Sequence, residues 1–276
     1  MSQKSILITG CSSGIGRALV KELSEKFEVH ATVRTEDDAD SLRQEFSVVT
    51  HILDLTNSES IQALAGEIEE IDVLINNAGV AFPSPVLLAD MELLRTSMEV
   101  NYFAVVQLTS LLLPKLIKSR GMVINMSSVS GRVSLPFFHP YASSKYALEA
   151  FSDALRNEVW QFGVRVVIVE PGRIQTPIWG KGAELDYSRY SGTAYQRNMR
   201  GVKKVALKGG GLEAERIAVL VEQIIGRKNP RPRYLIAENP WFFRVLFNLP
   251  TRLRDWLLRK NYGLQSAPKS LPEERG

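Results

Sequence analysis

Ser128, Tyr141 and Lys145 are separated by thirteen and then four residues, and the second interval carries the chemistry. On a helix, residues i and i+4 share a face, so the Tyr141 phenol and the Lys145 ammonium can enter one cleft. A phenol with a pKa of about 10 is a poor acid or base at neutral pH, but a fixed cation beside it favours phenolate and lowers that value. Tyr141 then becomes a usable general acid for reduction of a carbonyl. Ser128 follows an apolar strand-like run at 121–127. It therefore falls at the carboxyl edge of a sheet, where its hydroxyl can donate to a carbonyl oxygen and stabilise alkoxide charge. Tyr-x-x-x-Lys alone is common on helices, so the rest of the chain has to supply the context.

The context starts at Thr9-Gly10-Cys11-Ser12-Ser13-Gly14-Ile15-Gly16. Its glycines permit a tight turn and let backbone approach a pyrophosphate at a helix N-terminus. The spacing T-G-x-x-x-G-x-G between a strand and a helix sharpens a signal that three glycines alone would leave weak. Arg34 ends the second expected strand, where NAD enzymes place an acid on the ribose 2′-hydroxyl; a guanidinium suits a 2′-phosphate instead, which favours NADP(H) over NAD(H). Glu36, Asp37 and Asp38 follow closely and would repel the same phosphate, so a merely solvated arginine is the competing account. Asp54, with Leu55 after it, ends the third strand and is placed to hold an adenine amino group. Asn76-Asn77-Ala78-Gly79 ends the fourth and offers small and amide groups beside a cofactor, although both are also ordinary turn chemistry.

These residues need a frame, and the frame is legible. Short β-branched runs at 5–9, 28–33, 48–53, 72–76, 121–127, 164–170 and 233–237 alternate with helical spacing at 14–26, 37–45, 57–69, 90–118, 140–162 and 213–226. That rhythm predicts βαβ units and a single Rossmann-like domain over 1–237, an α/β doubly wound parallel sheet of about seven strands with helices on both faces. Consecutive apolar residues such as Val166-Val167-Ile168-Val169 fit strands covered on both sides. The segment 175–211 breaks the rhythm with Trp179, Tyr187, Tyr190, Tyr195 and Met199 and closes on Gly209-Gly210-Gly211. It reads as a substrate lid, or else as a long helical insertion.

With its motifs in this order, the chain resembles the short-chain dehydrogenase/reductase family from Thr9 through Thr176. The resemblance rests on the glycine loop, Asp54, the Asn-Asn-Ala-Gly run, Asn101, Ser128, Tyr141 with Lys145, and Pro171-Gly172. Thr9 to Gly16 together with Ala31-Thr32-Val33-Arg34 is similar to members acting on steroids, retinoids and other lipids. The resemblance, and not spacing, implies that Asn101 supports a water-linked proton relay to Lys145 and that Lys145 also holds the nicotinamide ribose. It implies in the same way that Ile174 and Thr176 contact the nicotinamide amide, beside Pro171 and Gly172, and that the protein is a homodimer or homotetramer.

Bulk properties bound the remainder. The 276 residues are 45% hydrophobic and 23% charged, with one cysteine, ordinary for a globular protein without a disulfide framework and consistent with a reducing, cytoplasmic setting. No stretch reads as a run of roughly 20 apolar residues. Residues 227–260 hold nine Lys or Arg against Glu238 and Asp255, a local +7, which leaves about −3 elsewhere under the net +4. Overlapping them, 238–262 mixes Trp241, Phe242, Phe243, Phe247 and Trp256 with arginines. This fits a helix pair on a lipid surface, a cap over the cleft, or a contact with a second subunit. Nucleic acid has no motif to support it, and 263–276 reads as a disordered tail. Cys11 reads as a passive small residue, His30 and His51 have no visible metal partners, and His139 lines the pocket or a loop beside the apolar Phe137 and Phe138. The leading function is interconversion of a carbonyl and an alcohol on an apolar substrate; the alternative is a catalytically silent dinucleotide sensor or scaffold on the same fold.

Overall fold

The computed structural model describes residues 3–178, 186–207 and 210–264, without the side chains of 204–207. Trp179, Gly209 and all but the first two residues of the expected tail lie outside them. Seven apolar runs become seven strands: β1 (Ser5–Ile8), β2 (Glu28–Val33), β3 (Val49–Ile52), β4 (Val73–Asn76), β5 (Met122–Met126), β6 (Arg165–Pro171) and β7 (Arg233–Ile236). They form one parallel sheet in the order β3-β2-β1-β4-β5-β6-β7. Every residue of β1, β4 and β5 is buried, as apolar strands covered on both faces require. The chain winds outward from β1 through β2 and β3, then returns to place β4 on the other side of β1. That reversal opens a crevice at the carboxyl ends of β1 and β4.

Two apolar layers hold the sheet. Helix α1 (Gly14–Leu23), α2 (Glu36–Glu45) and a later helix at Ala214–Gly226 pack Leu19, Leu23, Leu42, Ile217, Val221 and Ile224 against Ile6, Ile8, Ile75 and Ile124. On the opposite face α3 (Ser58–Glu67), a helix at Ala104–Ser119 and one at His139–Glu158 pack Ile61, Leu64, Leu108, Leu112, Leu116 and Leu155 against Leu7, Leu74 and Val123.

The helix expected over 90–118 is a correction. It divides into α4 (Met91–Met98), a π turn at Glu99–Phe103 and α5 (Ala104–Ser119). The extra residue in the turn accompanies a fully buried Asn101, whose amide bonds to Val80 and Ser144, and such π turns gather at functional sites. The same run, Met91–Ser119, is long and apolar enough by length and composition to cross a membrane, where the sequence predicts no such stretch. Its buried side chains Leu108, Leu112 and Leu116 face the sheet.

Helix α6 (His139–Glu158) ends before a 3-10 turn, Trp160–Phe162, that stops at Gly163 with φ +77°. Inside the excursion 175–211 lie a 3-10 turn at Tyr187–Tyr190 and α7 (Gln196–Leu207), followed by α8 (Ala214–Gly226). Beyond β7 come α9 (Pro240–Asn248) and α10 (Thr251–Asn261), the helix pair expected from the sequence. Their inward side caps the fold: Leu246 is buried, Phe247 lies under the Arg132 guanidinium, and Tyr262 joins a cluster of Phe137, Tyr190, Met199 and Val202.

Candidate active site

The glycine loop is held by the end of β4. Thr9 Oγ1 accepts from the Asn77 and Ala78 backbone N–H groups at 3.0 Å each, while Asn77 Nδ2 donates to Thr9 O at 2.9 Å and Gly10 O at 3.1 Å. A Cβ at Gly16 would fall 2.0 Å from Gly10 O, and Gly10, at φ +73°, would drive one to 2.8 Å from Ala78 Cα. These two positions therefore need glycine for the turn itself. The loop delivers the N-terminus of α1. Its N-cap, Ser13, makes no side-chain capping bond and its first turn holds no acid. Helices α2, α3 and α4 are instead capped by Thr35, Asn57 and Asp90. The first N–H groups of α1 remain available to an anion.

A cleft of about 380 Å³ runs from this loop along the carboxyl ends of the strands. Gly10, Ser12, Ser13, Gly14, Ile15 and Gly16 line one end, with Arg34, Asp54 and Leu55; Asn77, Ala78 and Gly79 line its middle. Ser128, Tyr141, Lys145, Pro171, Gly172, Ile174 and Thr176 line the other end. Asn101 and Asn76, both named from the sequence, are buried and do not line this wall. Arg34 is exposed and makes no ion pair among the described residues. The acids expected to compete with a phosphate are mostly engaged: Glu36 pairs with Arg43 at 2.6 Å, and Asp38 accepts from the Thr35 hydroxyl at 2.9 Å. Asp54 is held below the usual carboxylate range by the hydroxyl and N–H of Thr56, at 2.7 and 2.9 Å, with Arg34 adding to the effect.

At the far end Ser128 caps the 3-10 turn Val129–Gly131; its Oγ accepts from Ser130 N–H at 3.1 Å and faces Pro171 O at 3.5 Å. Tyr141 and Lys145 sit one turn apart on the buried side of α6, 6% and 4% exposed. Lys145 Nζ donates to Met126 O at 2.8 Å, at the end of β5, and lies 5.8 Å from the centre of the Tyr141 ring. Burial pulls the ammonium down to about 8, with Glu149 opposing. Burial also pushes the Tyr141 phenol up, against a hydrogen bond from Ser128. The spacing predicts that the cation lowers the phenol; in the structure desolvation outweighs the favourable partners at both groups. A phenol kept protonated in an apolar wall is a proton donor at neutral pH.

Sequence reasoning missed three supports. Thr32 Oγ1 accepts from Gly10 N–H at 3.2 Å, Ser144 Oγ accepts from Asn101 Nδ2 at 2.9 Å and donates to Tyr141 O at 2.8 Å, and Glu149 is buried one turn past Lys145. The i+4 repeat that paired Tyr141 with Lys145 reaches Glu149 when taken one step further. Cys11 is the passive residue expected: it is fully buried, its thiol donates to Ile8 O, and burial pushes it up to about 12.

Residues 4–185 match the family model for short chain dehydrogenases. The chain belongs to the short-chain dehydrogenase family. It is an oxidoreductase acting between CH–OH and C=O groups. It is 35% identical to an NADPH-dependent 3-dehydrocapnine reductase of Ornithobacterium rhinotracheale, over 92% of this chain and 96% of the relative. It is 32% identical to human 17-beta-hydroxysteroid dehydrogenase type 6, over 95% and 90%. Among solved structures it is similar to a short-chain dehydrogenase from Streptomyces avermitilis, with a TM-score of 0.79 and 28% identity, over 97% of this chain and all of that one.

The dinucleotide that a short-chain dehydrogenase uses fits the residues present. The uncapped α1 N-terminus, the glycine loop lining the cleft, and an exposed Arg34 that makes no ion pair among the described residues together offer donors to a phosphate-rich ligand.

Proposed function

We propose that this short-chain dehydrogenase interconverts an apolar carbonyl and the corresponding alcohol with NADP(H). The observation that carries the reading is one cleft with Arg34 at one end and Ser128, Tyr141 and Lys145 at the other. The loop Gly10–Gly16 and the N–H groups of α1 would hold the pyrophosphate, Arg34 the 2′-phosphate, Asp54 and Leu55 the adenine side, and Asn77, Ala78 and Gly79 the middle of the dinucleotide. Pro171, Gly172, Ile174 and Thr176 would face the nicotinamide. When bound, the nicotinamide supplies or takes up the hydride. Tyr141 delivers the proton to the carbonyl oxygen in the reductive direction and removes it in the other. Ser128 donates to the same oxygen, so developing negative charge meets two preorganised donors. Lys145 favours the phenolate that remains, and Asn101, fixed through Val80 and Ser144, supports reprotonation behind it.

Support for an apolar substrate comes from the cluster of Phe137, Tyr190, Met199 and Val202 with Tyr187, Tyr195 and Tyr262. It joins residues 187–202 to the start of α6, and these residues serve as the lid. Phe137 adopts φ +70° within it, an uncommon backbone for an aromatic residue and one that clusters at ligand clamps. The named activities of the bacterial and human relatives, NADPH-dependent reduction and hydroxysteroid dehydrogenation, point the same way. The reading extends to a cytoplasmic homodimer or homotetramer whose outward face of α9 and α10, with Trp241 and Trp256 exposed among cations, meets anionic lipid. Sedimentation with phosphatidylserine vesicles and analytical ultracentrifugation test those two parts.

The cofactor is tested by fluorescence titration of the full chain with NADPH and NADH, for wild type and Arg34→Ala. NADPH should bind more tightly, and Arg34→Ala should weaken NADPH alone by roughly tenfold or more, the worth of a lost charge-assisted hydrogen bond. Equal affinities in wild type would overturn the role given to Arg34.

A further inference from the structure

Helix α6 carries a further buried ionisable residue one turn past Lys145. Tyr141, Lys145 and Glu149 follow at i, i+4 and i+8, and all three are buried. The Val129–Gly131 turn lies directly over the last two. A Cβ at Gly131 would come within 3.0 Å of Glu149 Cγ, 3.1 Å of Lys145 O and 2.7 Å of Ser127 Oγ, so water has little access between them. Glu149 Oε2 accepts from Arg233 Nε of β7 at 3.1 Å; Oε1 makes no hydrogen bond of ordinary geometry, although the Ser127 hydroxyl is close enough to favour the charged form.

The remaining charges around Glu149 are accounted for. Arg233 is shared: it reaches Glu170 of β6 at 3.4 Å and Asp153 of α6 at 2.6 Å. Glu170 is also held by Arg132 at 3.2 Å. Burial and Glu170 push the Glu149 carboxyl up, while Ser127 and Arg233 pull it back. A tie between β7 and α6 needs only the half-exposed Asp153. Burying Glu149 as well adds a desolvation cost that structure alone does not require.

Resting on the reading of Tyr141 and Lys145 above, we propose that Glu149 is a positioning residue: clamped by Arg233, its carboxylate supplies the field that keeps Lys145 protonated. Burial works against the Lys145 ammonium and Glu149 works for it. Removing that negative charge disfavours the cation, so Lys145 loses its proton at lower pH.

The test is a nitrogen-15 NMR titration of the Lys145 Nζ in the full chain, for wild type, Glu149→Gln and Asp153→Asn, beside the pH profile of carbonyl reduction. Gln keeps an oxygen for Arg233 and removes only the charge. In Glu149→Gln the Lys145 step should fall by about one pH unit. The alkaline limb of kcat should move down with it while KM stays near the wild-type value. Asp153→Asn, which loses an Arg233 contact but not the buried carboxylate, should leave both in place. An unmoved Lys145 step in folded Glu149→Gln overturns the proposal, as does an equal movement in Asp153→Asn. Should Glu149→Gln not fold, Glu149→Asp, which moves the charge away, should lower the step by a smaller amount; no movement there also overturns it. The titration needs no turnover, so an inactive wild type whose Lys145 step responds to Glu149 speaks against the catalytic reading alone.

Discussion

Along α6, charged and polar groups are buried among apolar neighbours, whereas along α9 and α10 the apolar groups are outside among cations. Lys145 is 4% exposed, while Trp241 is 70% and Trp256 is 54% exposed. Both regions break the usual rule for which residues go inside, in opposite directions. A buried ammonium costs free energy unless partners offset it, and Lys145 has one carbonyl acceptor and the field of Glu149. An exposed indole loses nothing in the fold but invites a partner, and here Arg244 and Lys260 lie over the two rings at 5.0 and 5.2 Å. On the proposed function, the inner violation serves a reaction and the outer one a surface.

The contrast breaks most visibly at Lys145. Lys145→Met should lower carbonyl turnover by a factor on the order of 10²–10⁴, the usual worth of acid–base catalysis, with folding retained because a buried charge has been exchanged for an apolar side chain. Steady-state kinetics and a thermal melt read both. Next comes pH. Burial pulls the Lys145 ammonium down to about 8, and on the role proposed for the cation reduction should decline as pH rises through about 8. Above that step the decline should approach tenfold per unit; a flat profile to pH 10 or so would contradict the assignment. Ser144→Ala is smaller. It takes one acceptor from the buried Asn101 amide and should cost about 1–3 kcal/mol of stability in urea unfolding. Smallest of all, Trp241→Ala with Trp256→Ala should change stability by only about 0.5 kcal/mol, while binding to phosphatidylserine vesicles falls.

The inner region was the more legible in sequence, for physical reasons. Backbone constraints force glycine at 10 and 16, and the helical i+4 step pairs Tyr141 with Lys145; both leave a mark in the residues themselves. The seven parallel strands were equally plain, since β1, β4 and β5 are apolar at nearly every position. What escaped depends on three dimensions. The π turn around Asn101 is fixed by Val80 and Ser144, far off in sequence, and the balance at Tyr141 turns on burial, which no spacing reveals. Glu149 escaped because its partner, Arg233, comes 84 residues later. The packing of α9 and α10 was only half legible: their amphipathic pattern predicts two helices, but not that Phe247 would sit under Arg132.

The most direct test of the catalytic account follows NADPH consumption with a panel of long-chain and steroidal ketones for wild type and Tyr141→Phe. Turnover by wild type, lost in Tyr141→Phe with NADPH affinity unchanged, is the predicted result. Retained turnover in Tyr141→Phe would contradict the role of the phenol. NADPH binding without consumption in wild type would contradict the reaction and leave a dinucleotide sensor in its place.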